Sequence, residues 1–438
     1  YNIYTQAREL FGGREKANVS FINLIPIKEI GEIERDKIGW VNRRCFKTQK
    51  YITKEKLRLL EKYLQSEDIK KLINGNISVL EVKENKRMPT TSNFVYDLEV
   101  PGYNKFIAGT APICIHNCSG GVAGNRTTMV IVPIIASLGY KMPKTSSRAI
   151  TSASGTSDTM EVLAPVTINK EKIQEIVNKT NGCIVWGGGV DLASADDKMI
   201  NVRHPLNLDP TGMLLASILA KKKAASATHV LIDIPYGPDI KIKTKTEAKK
   251  LKKLFLKVGK KLELKLRVIL TDGSQPIGNG IGPALEAADV LSVLQGDGPN
   301  DLREKSIYLA TELLKLVGEK DPLNKVLESI ESGKAYQKFL EIIQAQGGHK
   351  HPVIPKAKYF FNVNAVRDGK ITSINNKKIT QIASLAGAPE DKSAGIYLRV
   401  RKDREVTKGT TFFTVYSNSL QNMDIIKKRL KDLNPITY

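Results

Sequence analysis

Aromatic residues make up only 6% of the 438 residues, and cysteine occurs four times, at Cys45, Cys114, Cys118 and Cys183. Four scattered cysteines with no CxxC pair exclude a disulfide-stapled scaffold and give no zinc-site spacing. No apolar run is long enough to span a bilayer, and the longest, Met129 to Leu138, contains Pro133. A signal-peptide pattern is missing, as is an initiator Met, which fits a processed or truncated end. Internal repeats and low-complexity linkers are missing too. These absences point to a soluble, cytoplasmic protein with no membrane partner.

What is present is a 41% hydrophobic, 26% charged chain with a formal net charge of +23. That apolar fraction supports buried cores and excludes a wholly disordered chain. At roughly 100–200 residues per domain, the length allows about two to four domains. The positive charge suits either nucleic acid or a lysine-rich surface on a protein that handles small anions. Its distribution decides between them. Residues 1–117 carry a net +6 and residues 118–438 a net +17, so the charge does not sit on a basic N-terminal arm. With so few aromatics, this counts against nucleic acid as a partner of 118–438.

The texture changes near residue 118. Before it, one amphipathic helix is expected at about 53–73, with Leu57, Leu60, Leu64, Ile69 and Leu72 on one face. After it, strand-like and helix-like segments alternate: strand His229 to Ile234, helix Glu247 to Leu254, strand Leu266 to Leu270, helix Pro283 to Val293. That alternation predicts an α/β fold with a mostly parallel sheet flanked by helices. Residues 301–345 read as helical. From about 357 the period shifts towards two, which predicts a C-terminal α+β domain. Phe360 to Val366, Asp368-Gly369 and Ile371 to Ile374 suggest a hairpin with an Asp-Gly turn. Ile396 to Val400 and Thr410 to Tyr416 continue the strands. A final helix carries Leu420, Met423, Ile426, Leu430 and Leu433.

The tripeptide His116-Asn117-Cys118 invites chemistry. An Asn amide nitrogen can attack its own backbone carbonyl and cut the following peptide bond. A neighbouring His can protonate the leaving amine, and a following Cys can accept an acyl group as thiolate. Upstream lie Phe94 to Gly109 and Ile113-Cys114-Ile115. Together these residues resemble the two C-terminal splicing blocks of inteins. The resemblance implies that Asn117 cyclises, His116 assists, and Cys118 opens the downstream extein. It implies a partial, β-rich splicing domain over 1–117, with residues 1–75 a possible endonuclease remnant. Two features depart from the pattern: Asn104 stands where inteins usually carry His, and no starting nucleophile or Thr-x-x-His block lies upstream. The N-terminal intein half and N-terminal extein are therefore expected to be missing partners.

Downstream, Cys118-Ser119-Gly120-Gly121-Val122-Ala123-Gly124-Asn125-Arg126-Thr127-Thr128 precedes an apolar, helix-like run. Glycines let backbone N–H groups turn towards an anion, with hydroxyls and the Arg126 cation nearby. An ordinary glycine turn is the alternative. A second run, Lys144 to Glu161, is dense in Ser and Thr and suits an oxyanion or a sugar, or else a capped loop.

These runs, together with Trp186 to Gly189, Asp196-Asp197-Lys198 and Thr271 to Pro283, resemble the archaeal AMP phosphorylases. More loosely they resemble the thymidine and pyrimidine-nucleoside phosphorylases. The likeness covers essentially all of 118–438, in order. It implies a phosphorylase α/β domain over 118–345 and a C-terminal domain over 346–438, and a homo-oligomer. The implied reaction is phosphorolysis of AMP to adenine and ribose 1,5-bisphosphate, with a nucleoside such as thymidine as the rival substrate. Inorganic phosphate is the co-substrate, and no cofactor or metal is expected.

The resemblance also implies site residues. Gly121, Ser147, Arg148, Ala149, Ile150, Thr151, Ser152 and Thr156 match nucleotide-binding positions. Ser119, Thr128, Ser146 and Thr156 match phosphate contacts. Asp209 matches the proton donor, although Asp209-Pro210 also reads as a helix N-cap with Pro at N1. Ser217 and Lys221, four apart, share a helix face and match base contacts, as does Arg203. Lys241 matches a substrate-binding lysine, with Lys243 an alternative register. Arg126 and the run Ser147 to Ser152 suggest room and charge for a 5′-phosphate. Gly278 to Gly282 reads as a tight backbone turn, and Asp196-Asp197 as surface acids. The family carries Lys-His where this chain has His116-Asn117, so this chain alone is expected to be inactive as a phosphorylase.

Overall fold

The computed structural model describes residues 24–26, 51–53, 113–117, 121–149, 152–189, 215, 218–219, 221–223 and 227–438. The chain divides into two units, Tyr1–Asp97 and Leu98–Tyr438. In the first, β1 (Leu24–Pro26) pairs antiparallel with β2 (Tyr51–Thr53). The helix expected at 53–73 otherwise lies outside the described residues.

In the second unit, β3 (Ile113–Asn117) leads to α1 (Thr127–Ser137), β4 (Met142–Ser146), α2 (Thr156–Met160), α3 (Lys170–Thr180) and β5 (Gly182–Trp186). Then come β6 (His229–Tyr236), α4 (Lys245–Lys261), β7 (Lys265–Asp272), β8 (Gly280–Ile281) and α5 (Pro283–Leu294). Three helices follow: α6 (Asn300–Val317), α7 (Pro322–Glu331) and α8 (Lys334–Ala345). The parallel pairing is confirmed in two pieces. Strands β3, β6 and β7 run side by side in that order, and β4 pairs with β5.

Local chemistry explains several of these elements. The run at 129–138 folds as α1, a helix apolar nearly all round and therefore buried nearly all round. It forms the middle of a core shared with α5, α6 and α8. Helix α4 starts at a capping box: the Glu247 N–H donates to Thr244 Oγ1 (3.2 Å) and the Thr244 N–H to Glu247 Oε2 (3.3 Å). Its apolar stripe, Ala248, Leu251 and Phe255, is buried against β6 and β7, together with the helical residues Leu215, Ile218 and Leu219. Within β6, Asp233 is fully buried; its carboxylate pairs with Lys305 (3.0 Å) and accepts from Thr271 Oγ1 (2.6 Å). It stands opposite Asn117 in the β3–β6 register.

The C-terminal region contains β9 (Tyr359–Asn364), β10 (Gly369–Lys370), β11 (Ser373–Ile374), α9 (Asn376–Ala386) and β12 (Gly395–Leu398). It ends with β13 (Glu405–Val406), β14 (Thr411–Ser417), α10 (Leu420–Leu433) and β15 (Ile436–Thr437). Four strands form an antiparallel sheet in the order β8-β12-β14-β9. Because β8 comes from the α/β part, the two parts share one sheet.

The expected Asp-Gly hairpin does not form. Strand β9 pairs with β14, β10 with β13, and β11 with β15. A two-residue Asp-Gly turn needs positive φ at both positions. Neither Asp368 nor Gly369 has it. Strand β14, mostly buried, offers β9 a long partner instead. Among the described residues, no helix is long and apolar enough to cross a membrane.

Candidate functional site

The glycine loop after β3 is held by backbone geometry. Gly124 has φ +72°, and a Cβ there would lie 2.2 Å from the carbonyl oxygen of Ile277, so only glycine fits. The Ile277 N–H donates to the Ala123 carbonyl (3.0 Å). On the other side, the Ala123 N–H donates to Asn376 Oδ1 (3.0 Å), and Asn376 Nδ2 donates to the Gly273 carbonyl (3.1 Å). Asn376 is fully buried at the start of α9, so the C-terminal domain clamps the loop.

Arg126 does not offer the free cation its sequence context suggested. It is buried, and its Nε lies 2.5 Å from Glu286 Oε2 and 3.0 Å from Thr159 Oγ1. Its Nη groups donate to the carbonyls of Asn125 (2.9 Å) and Ser154 (2.5 Å). Thr159 and the Gly282 N–H also donate to Glu286 (2.8 and 3.2 Å). The guanidinium is paired with Glu286, and each of its three nitrogens donates to a protein oxygen.

The Ser/Thr-rich run is organised by carboxylates. Asp158 Oδ2 accepts from the Ala149 N–H (2.7 Å) and the Gly155 N–H (2.8 Å). Arg148 donates to Glu161 through both Nη groups (2.8 and 2.6 Å), lies 3.4 Å from Asp158, and sits 5.1 Å from the Trp186 ring centre. The Arg148 guanidinium, helped by Lys392, pulls the Glu161 carboxyl down to about 2 despite its partial burial. Ser146 Oγ lies 2.9 Å from Ser157 Oγ, and the Ser147 carbonyl accepts from the Ser157 N–H (3.4 Å). Thr156 begins α2. Thr128 is buried in the first turn of α1.

Between these segments lies a cavity of about 520 Å³, a size suited to a nucleotide-scale ligand. Of the residues expected at the site, Gly121, Ser152 and Lys241 line it together, and Arg126 also borders it, its guanidinium held by Glu286. Lys243 is not among its lining residues; its N–H donates to Glu247 (2.9 Å). Arg148 and Ala149 contact Asp158, Ser146 and Ser147 bond to Ser157, and Thr156 opens α2; none of these is among the cavity's lining residues. Lys221 is helical and half-buried. Cys118, Ser119, Ile150, Thr151, Arg203, Asp209 and Ser217 lie outside the described residues, as do Asp196 and Asp197. His116 and Asn117 end β3, their side chains outside that description. The sequence reading missed Asp239 and four lining residues of α9: Lys377, Thr380, Gln381 and Ser384. Their only sequence signal is a polar stripe at helical spacing, which normally marks a solvated face.

Below the loop, the 278–280 turn rests on a buried carboxylate. Asp289 Oδ2 accepts from the N–H groups of Asn279 (2.6 Å) and Gly280 (2.7 Å). Burial pushes the Asp289 carboxyl up to about 7 against the pull of those amides, and Glu286 and Asp301 add to the rise. The folded protein therefore holds this proton more tightly than the unfolded chain between the ordinary 3.8 and about 7. Stability from this group is fully present at the acidic end of that window and is lost as pH rises through it. Asp289→Asn keeps an acceptor for both amides and never ionises. Its melting temperature is expected to fall less than that of the parent from pH 5 to 8. Parallel curves would refute the assignment.

Comparison with known proteins agrees with this architecture. Residues 112–336 match the family described as "Glycosyl transferase family, a/b domain", and residues 370–437 match the "Pyrimidine nucleoside phosphorylase C-terminal domain". A Legionella pneumophila protein named "Putative thymidine phosphorylase" is 48% identical over 73% of this chain and 62% of its own length. A Polaromonas protein of the same name is 49% identical over 69% of this chain and 60% of its own. A Thermofilum pendens protein named "AMP phosphorylase" is 43% identical over 74% of this chain and 64% of its own. The chain thus spans less than two thirds of the length of these relatives. With the α/β match covering more than half of the chain and the second domain following in order, the chain belongs to the glycosyl transferase family that includes the thymidine and pyrimidine-nucleoside phosphorylases.

Proposed function

We propose that residues 118–438 form most of a phosphorylase that cleaves AMP with inorganic phosphate. A phosphate oxygen forms a bond to the ribose anomeric carbon as the bond to adenine breaks. The base leaves with a proton, for which Asp209 is the donor, and the products are adenine and ribose 1,5-bisphosphate. The observation that carries the reading is the cavity shared by Gly121, Ser152 and Lys241 within a chain that matches both family domains in order. The Thermofilum relative's name supports AMP; the Legionella and Polaromonas names support thymidine as a second reading.

On the same proposal, residues 1–117 are the C-terminal part of an intein that is released at the Asn117–Cys118 bond. The family match begins at residue 112, and β3 pairs with β6. On this reading, the ligated protein replaces Ile113–Asn117 with the upstream extein strand. The family's Lys-His then falls opposite Ile232 and Asp233.

The test is phosphate-dependent base release by the full-length, ligated product, offered AMP and thymidine side by side. Adenine from AMP, with thymidine ignored, is the expected result. Thymine release alone moves the protein to the nucleoside reading. No release from either, with ligation verified by mass, overturns the phosphorylase assignment. A precursor that stays intact at Asn117–Cys118 overturns the splicing assignment.

A further inference from the structure

Helix α9 closes the cavity from the C-terminal domain. One face, Ile379, Ile382, Ala383 and Ala386, is buried in that domain's core. The opposite face places Lys377, Thr380, Gln381 and Ser384 on the cavity that Gly121, Ser152 and Lys241 also line. Steps of three, four and seven residues put these side chains in one stripe. An ammonium, two hydroxyls and an amide supply several hydrogen-bond donors, the set that recognises a phosphate group.

Charge accounting singles out Lys377. Arg126 is neutralised by Glu286, and Arg148 by Glu161 and Asp158. Among the described residues, the exposed Lys377 ammonium has no carboxylate partner. Its position is nonetheless firm, because the neighbouring Asn376 side chain is fully buried and bonded to the glycine loop and Gly273. Asp239 and Lys241 line the same cavity, and a phosphate drawn into it meets Lys377 on a fixed wall.

We infer that Lys377, with Thr380 and Gln381, binds the 5′-phosphate of a nucleotide substrate, which makes the C-terminal domain a specificity element of the site. This rests on the nucleotide reading proposed above. A nucleoside lacks the group that Lys377 would hold, so the contact separates the two substrate classes.

The test is calorimetric binding of AMP, adenosine and inorganic phosphate to full-length protein, unmodified and as Lys377→Ala and Lys377→Arg. Losing a charged hydrogen bond is expected to weaken AMP binding by about tenfold in Lys377→Ala. Adenosine binding and melting temperature are expected to stay unchanged, and Lys377→Arg to recover most of the loss. Equal AMP affinity in parent and Lys377→Ala overturns the inference. So does a loss confined to inorganic phosphate, which would place the co-substrate here instead. AMP binding that depends on Lys377 without any base release leaves the inference standing and overturns only the phosphorylase assignment.

Discussion

Replacing Arg126 with alanine is expected to destabilise the protein by about 3–5 kcal/mol, measured by urea denaturation. The reason is the burial of both partners: Arg126 is 4% and Glu286 2% exposed, 2.5 Å apart. Removing the guanidinium leaves Glu286 charged in a buried site with Thr159 and the Gly282 N–H as its described donors. It also leaves the Ser154 carbonyl with Ser152 Oγ (3.1 Å) as its remaining side-chain donor. Arg126→Lys keeps the charge but not the fork that reaches Glu286, Thr159, Asn125 and Ser154 together, so it is expected to recover only part of the loss. Replacing both partners, as in Arg126→Met with Glu286→Leu, is expected to be milder than either single change, because no charge is left unpaired. An unchanged denaturation midpoint with weakened anion binding would return Arg126 to the ligand-binding role its sequence context suggests.

Asn376→Ala is expected to remove roughly 2–4 kcal/mol and to loosen the glycine loop, because two backbone groups lose their partners at once. Asn376 is the only bridge described between the Ala123 N–H and the Gly273 carbonyl, and it has no solvent exposure. Asn376→Asp separates the two halves of the contact. Its carboxylate can still accept from Ala123, but it cannot donate to the Gly273 carbonyl and carries a buried charge. It is therefore expected to destabilise the protein as well. Amide hydrogen exchange gives the direct reading: Ala123 should lose protection in Asn376→Ala, while amides in the α1 core keep theirs. Unchanged protection at Ala123 would show that the clamp is not what holds the loop.

Much of the α/β part was legible along the chain. Buried parallel strands such as β6, apolar but for His229 and Asp233, read as near-continuous apolar runs, and α4 announces itself through Thr244, Glu247 and its apolar stripe. Strand pairing in the C-terminal region was not legible. Asp368-Gly369 is a strong local hairpin signal, yet β9 joins β14 because a mostly buried strand outweighs a turn preference. Of the site, the sequence pointed to Gly121, Ser152 and Lys241, which line one cavity. Arg126 and Arg148 look alike in the sequence as cations beside hydroxyl-rich loops, and both turn out to be paired with carboxylates.

The sequence by itself determined elements such as β6, α4, β7, α5 and α10, the glycine positions and the family resemblance, because these depend on residue spacing and local backbone preference. Only the tertiary structure decided which charges are free. Glu286 lies 160 residues from Arg126 along the chain, and Asn376 lies 253 residues from Ala123. Ion pairing and desolvation act through space over a few ångströms, so partners this far apart in sequence become visible only once the chain has folded.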